Sequence, residues 1–101
     1  MTWIYLAGPM RGLPDLNVQA FDTATAALRA EGHHVFNPAD GDRWLSLHGI
    51  ENDIRGSFEL DTQWICREAE AIYLLPGWEK SKGATDERAL GIALGLLIVE
   101  L

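Results

Sequence analysis

Trp3-Ile4-Tyr5-Leu6-Ala7-Gly8-Pro9 decides how this chain folds. Five apolar or aromatic residues follow one another without the alternation of a half-wet strand, and Gly-Pro stops them. Such a run suits a short strand buried on both faces, as in a parallel sheet. After the turn Gly8–Pro14, apolar spacing changes to Val18, Phe21, Thr25 and Leu28, a helical period that ends at Gly32. His34-Val35-Phe36 reads as a second strand closed by Asn37-Pro38. Residues 39–53, with Gly41, Gly49 and several acids, read as a weakly ordered loop.

A helical pattern returns from Ile54 to Ala69, and Ala71–Leu75 is a third strand stopped by Pro76-Gly77. The loop Trp78-Glu79-Lys80-Ser81-Lys82-Gly83 leads to a third helix over Ala84–Leu94. Gly95 ends it before a fourth strand, Leu96–Val99. Alternating strands and helices with short connections predict an α/β fold, a parallel sheet covered by helices. Right-handed crossovers then favour a flavodoxin-like three-layer sandwich of about four strands in the order 2-1-3-4. Its switch point lies between strands one and three, where the loops Gly8–Gly12 and Pro76–Gly83 emerge together. Ligands of open α/β sheets bind in that crevice.

The 101 residues make one domain, 1–101, and a 48% hydrophobic share supplies a core. So small a domain leaves much surface exposed, which favours a homo-oligomer. Eight Lys and Arg against 15 Asp and Glu give a net charge of −7, unsuited to polymeric nucleic acid. One cysteine, Cys66, excludes an internal disulfide and fits a reducing compartment. It lies near the aliphatic stripe of its helix and is expected to be buried. The N-terminus lacks a basic start, and the apolar run Gly91–Val99 is too short for a membrane span. A cytoplasmic protein without membrane contact is expected. His33, His34 and His48 lack ligand spacing and Cys partners, so no metal is expected. Ser46 and His48 lack a nucleophile-elbow context.

Two acids stand out. At about 100° per residue, Asp61 falls within the stripe Ile54, Phe58, Ile65. A carboxylate there either braces a helix against a loop or borders a cleft; the stripe alone leaves both readings open. Glu87 lies in the expected first turn of helix three, where the helix dipole favours its ionised form. It continues the line of Leu90 and Leu94, although acids in first turns often serve only the dipole. Together the two make a carboxyl pair of the kind that breaks glycosidic bonds. Gly8-Pro9-Met10-Arg11-Gly12 and Ser81-Lys82-Gly83 are weak anion cues, each also readable as a plain turn. Neither dinucleotide nor Walker glycine spacing is present. Trp78 either stacks on a base or covers its loop.

Ile4–Gly12, Asp61-Thr62-Gln63-Trp64-Ile65, Ala71–Leu75 and Gly83-Ala84-Thr85-Asp86-Glu87 together resemble the nucleoside 2-deoxyribosyltransferase superfamily. Leu75-Pro76-Gly77-Trp78-Glu79 before Ser81-x-Gly83-Ala84-x-x-Glu87 resembles a short branch of it found in phage and bacterial genomes. The likeness covers nearly the whole chain. It implies a flavodoxin-like fold, no cofactor, and covalent catalysis on a nucleoside or nucleoside 5′-monophosphate. By that resemblance Glu87 attacks the anomeric carbon, Asp61 assists at base and sugar, and Tyr5 holds the nucleophile. Gly8, Pro9, Met10, Arg11 and Gly12 would lie against the sugar or its phosphate, with Trp78, Ser81, Lys82, Gly83 and Ala84 across the crevice. Burial of Asp61 would raise its pKa and suit it to proton donation. The chain departs from the superfamily at Ser81 and Lys82, where an Asp is usual, and at Glu70-Ala71-Ile72 in place of D-x-[IVL]. Superfamily members run beyond the position of Leu101, and residues there complete a neighbouring subunit's site. The expected function is N-glycosidic cleavage or transfer; the alternatives are a non-catalytic nucleotide or nucleotide-sugar binding module and an interaction scaffold.

Overall fold

The computed structural model describes residues 1–50 and 53–101. Its strands are β1 (Trp3–Ala7), β2 (His34–Phe36), β3 (Ala71–Leu74) and β4 (Leu97–Glu100). Its α-helices are α1 (Val18–Ala30), α2 (Pro38–Leu47), α3 (Ile54–Arg67) and α4 (Lys82–Ala93). The sheet is parallel throughout, in the order β2-β1-β3-β4. That is the flavodoxin-like arrangement expected from the alternation of elements.

The pleat sorts the strand residues into two cores. Ile4 and Leu6 face α1 and α2, packing with Phe21, Leu28, Val35 and Ala39. Tyr5 and Ala7 face α3 and α4, packing with Ile65, Ile72, Leu74 and Ala84. Tyr5 sits opposite Phe36 on one side and Ile72 on the other. It is fully buried in the middle of the sheet.

Two close approaches set the layers. A Cβ on Gly91 would come within 2.5 Å of Ile72 Cδ1 and 3.1 Å of Ile98 Cδ1, so glycine lets α4 settle directly on the sheet. A Cβ on Gly8 would lie 2.8 Å from Leu75 Cβ, which brings the exits of β1 and β3 together as expected. Beyond that exit, Asp15, Leu16 and Asn17 adopt left-handed φ values of 50°, 53° and 59°. Each such residue costs about 1–2 kcal/mol against the right-handed form. Asn17 offsets part of this by donating its side-chain amide to the Pro9 carbonyl at 3.0 Å.

Part of the expected 39–53 loop is helix. Asn37 accepts the Ala39 amide at 3.0 Å and Pro38 occupies the first turn, so α2 starts with two ordinary start signals. Arg43 then ties α2 to α1 through Asp22 at 2.8 Å, and also meets Asp40. Residues 51 and 52 of that expected loop lie outside the described residues. The stripe of α3 is shorter than expected, since Ile54 is 62% exposed while Ile65 is buried. Cys66 is exposed rather than buried, because α3 turns only the Asp61–Ile65 side inward. No helix among the described residues is long and apolar enough to cross a membrane.

Candidate active site

Tyr5 is where the two acids meet. Its hydroxyl donates to Glu87 Oε2 at 2.7 Å, a buried bond joining β1 to α4 across 82 residues of chain. The same hydroxyl acts on Asp61 of α3. Burial first, then the two nearby carboxyls, hold the Tyr5 phenol proton well above its ordinary range. Glu87 itself is 7% exposed, and Asp61 is half-buried. Glu87 of α4 thus bonds the hydroxyl directly, and Asp61 of α3 lies near enough to interact with it.

Helix start and helix packing explain this placement. Ser81 accepts the Ala84 amide at 3.2 Å and caps α4, which begins at Lys82. Glu87 thus stands in the second turn, one turn before Gly91, on the side pressed against the sheet. The close approach at Gly91 carries Glu87 down to Tyr5.

The expected charge of Glu87 is corrected by this geometry. A helix dipole acts within the first turn, and Glu87 is past it. Burial pushes its carboxyl up to about 8, the Tyr5 bond opposes this, and the negative charges of Asp61 and Asp86 add to the rise. Asp61 is pushed up to about 6, again by burial first, with Tyr5 opposing and Asp42 of α2 adding. Both carboxyls are thus biased towards their protonated forms, Glu87 more strongly than Asp61.

The substrate-binding candidates divide. Gly8 and Pro9 stand beside Leu75 and Gly77, at the joint exit of β1 and β3. Met10, by contrast, packs into the core on the α1 side, the opposite face from Glu87. Arg11 and Gly12 are exposed on the loop. Ser81 spends its hydroxyl on the cap, and Lys82 pairs with Asp86 at 3.0 Å. Gly83 is exposed, while Ala84 is buried in the Tyr5 core. Trp78 is a brace: its indole N–H donates to Glu100 Oε1 at 2.9 Å, and Arg88 lies 5.0 Å over its ring.

Three features escaped the sequence reading. Gly91 could have been found as a glycine one turn after Glu87 in an otherwise helical run. Asp42 was hidden by the misassigned loop. Phe36 and Trp64 form an aromatic wall around Tyr5, with ring centres 5.3 Å and 6.3 Å from it. Two surface hollows, of about 560 and 750 Å³, lie along α1 and the Leu13–Thr23 segment. Neither is lined by Asp61 or Glu87. Among the described residues no group of three or more His, Cys, Asp or Glu could hold a metal ion.

The model of a family described as "Domain of unknown function (DUF4406)" matches residues 2–100, so the chain belongs to that family. No curated protein and no solved structure matches it.

Proposed function

We propose that this DUF4406 member cleaves or transfers the N-glycosidic bond of a nucleoside or nucleoside 5′-monophosphate through a sugar ester on Glu87. The carrying observation is the 2.7 Å bond from buried Tyr5 to Glu87, with Asp61 of a second helix near enough to act on the same phenol. Two carboxyls biased towards protonation to different degrees can divide the work of a retaining displacement. Positive charge developing at C1′ favours the Glu87 carboxylate, so Glu87 gives up its proton and Asp61 takes one up. A Glu87 oxygen bonds to C1′, the C1′–N electron pair leaves with the base, and Asp61 protonates the base nitrogen. Water or a second base then attacks C1′, its proton returns to Asp61, and Glu87 is released.

The resemblance to the deoxyribosyltransferases supports the same roles for Tyr5, Asp61 and Glu87. A cytoplasmic homo-oligomer belongs to this reading, and β4, with Leu97 and Leu101 exposed on an open sheet edge, is where copies would meet. The test is base release from a panel of nucleosides and 5′-monophosphates, separated by chromatography. Wild type should release base and Glu87→Gln should not, while a 2-fluoro sugar analogue should label Glu87. Equal release by both proteins refutes the catalytic assignment.

The burial of Glu87 and the position of both hollows favour one rival, a module that binds a nucleotide without turning it over. That rival requires saturable binding that survives Glu87→Ala, with no base formed on long incubation.

A further inference from the structure

We propose that the groove between α1 and the ends of β3 and β4 seats α1 of a second copy of this chain, the two helices meeting about a twofold axis. The inference rests on the homo-oligomer of the proposed function and is independent of its chemistry. A parallel sheet is ordinarily covered by helices on both faces. Here β4 is covered on one. Ile98 packs into the Tyr5 core, so the pleat turns Leu97 and Val99 to the α1 side, where α1 leans towards β2 at the far edge of the sheet. Leu97 is 59% exposed and Leu101 49%.

The hollow of about 560 Å³ opens at the Leu101 end of this bare strip. One wall is the outer flank of α1, with Ala20, Thr23, Ala24 and Ala27; the other includes Leu75 and Leu101. Side chains this small raise no ridge on α1 and let another helix come close.

Charge selects the occupant. The chain carries −7, with 23% of its residues charged, so two copies repel across most of their surfaces. Of the described residues that line the hollow, none carries a charge. Asp22 and Arg29 of α1 are engaged with Arg43 and Asp40 of α2 instead. Two copies can therefore close on this face without bringing carboxylates together. A basic segment of another protein, which the acidic chain would attract elsewhere, finds no counter-charge there. Twofold symmetry also fits, because each copy supplies one α1 flank and one bare strip, and every contact is made twice.

Sedimentation of the full chain reads the association, with far-UV circular dichroism to confirm that each variant folds. Wild type should sediment as a dimer. Thr23→Glu and Ala27→Glu each put a carboxylate into the groove of both copies at an exposed position, and should raise the dimer dissociation constant at least about 100-fold. Leu47→Glu, on the exposed apolar end of α2, should leave it unchanged. Of Ala20→Cys, Ala24→Cys and Ala27→Cys, each in a Cys66→Ser background, at least one should form an intermolecular disulfide on mild oxidation, and Leu47→Cys should not. A monomeric wild type, groove variants that stay dimeric, or loss of the dimer in Leu47→Glu alone overturns the inference. Should both glutamate variants fail to fold, the cysteine series decides, and no disulfide through α1 overturns it. None of these outcomes bears on Glu87-dependent base release, which separately judges the reaction.

Discussion

Replacing Glu87 with Gln should change stability little at pH 5 and raise it markedly at pH 9. The carboxyl has an ordinary value of 4.5 and is lifted to about 8 by burial. Between those values the folded chain binds more protons at this position than the unfolded chain does. Stability from this group is therefore complete below about pH 4.5 and declines as pH climbs towards and through 8. Each unit is worth about 1.36 kcal/mol, so wild type should lose roughly 5 kcal/mol across the window. At 7% exposure, solvent screens little of this. A Gln side chain keeps an oxygen for the Tyr5 hydroxyl and has no charge to lose. Asp61 titrates in a lower window, between 3.8 and about 6, and is common to both proteins. Urea unfolding of wild type and Glu87→Gln at pH 5, 7 and 9, at one ionic strength, gives the comparison. Parallel stability profiles would refute the burial argument.

Three other substitutions probe the supports of the site. Tyr5→Phe removes the donor that holds the Glu87 carboxyl down, a charge-assisted bond worth about 1.5–3 kcal/mol. Base release should fall roughly 10- to 100-fold, with the limb of the pH–rate profile governed by Glu87 moving to higher pH. Gly91→Ala drives a methyl against Ile72 and should cost about 1–3 kcal/mol in thermal or urea unfolding. Pairing it with Ile72→Val, which removes the closest atom, should recover part of that loss. Asn37→Ala removes the α2 cap and a bond to Asp22, and should cost about 1–2 kcal/mol, read by urea unfolding.

The sheet was legible because its strands are contiguous apolar runs bounded by Gly and Pro, a pattern that local sequence carries whole. Trp3–Ala7 and His34–Phe36 needed no tertiary information. α2 was not legible in this way: Gly41 interrupts it, and much of what fixes it is the capping amide of Asn37 and the Arg43 contacts to Asp22 and Asp40. The cap itself was there to be read in Asn37-Pro38. For the site, spacing picked out Asp61 and Glu87 as acids in line with apolar faces. It could not place both at Tyr5, because nothing local joins β1 to a residue 82 positions away. Nor could it give the charge of Glu87. Ser81 starts α4 earlier than the apolar pattern suggests, and that moves Glu87 from the dipole's reach into the buried second turn.

A hydrogen bond that merely tied α4 to the sheet would not need an acid. A glutamine at 87 could accept from Tyr5 without titrating, and an asparagine at 61 would spare the fold a second buried charge. The chain instead places two carboxyls against one phenol, in a setting that lifts both towards neutrality and weakens the fold as pH rises. Two perturbed acids beside a buried phenol fit proton transfer better than bracing. The two roles part company at the amides. Glu87→Gln and Asp61→Asn should preserve or improve stability above pH 7 while removing base release. If instead both amides leave release intact, the acids serve the fold alone.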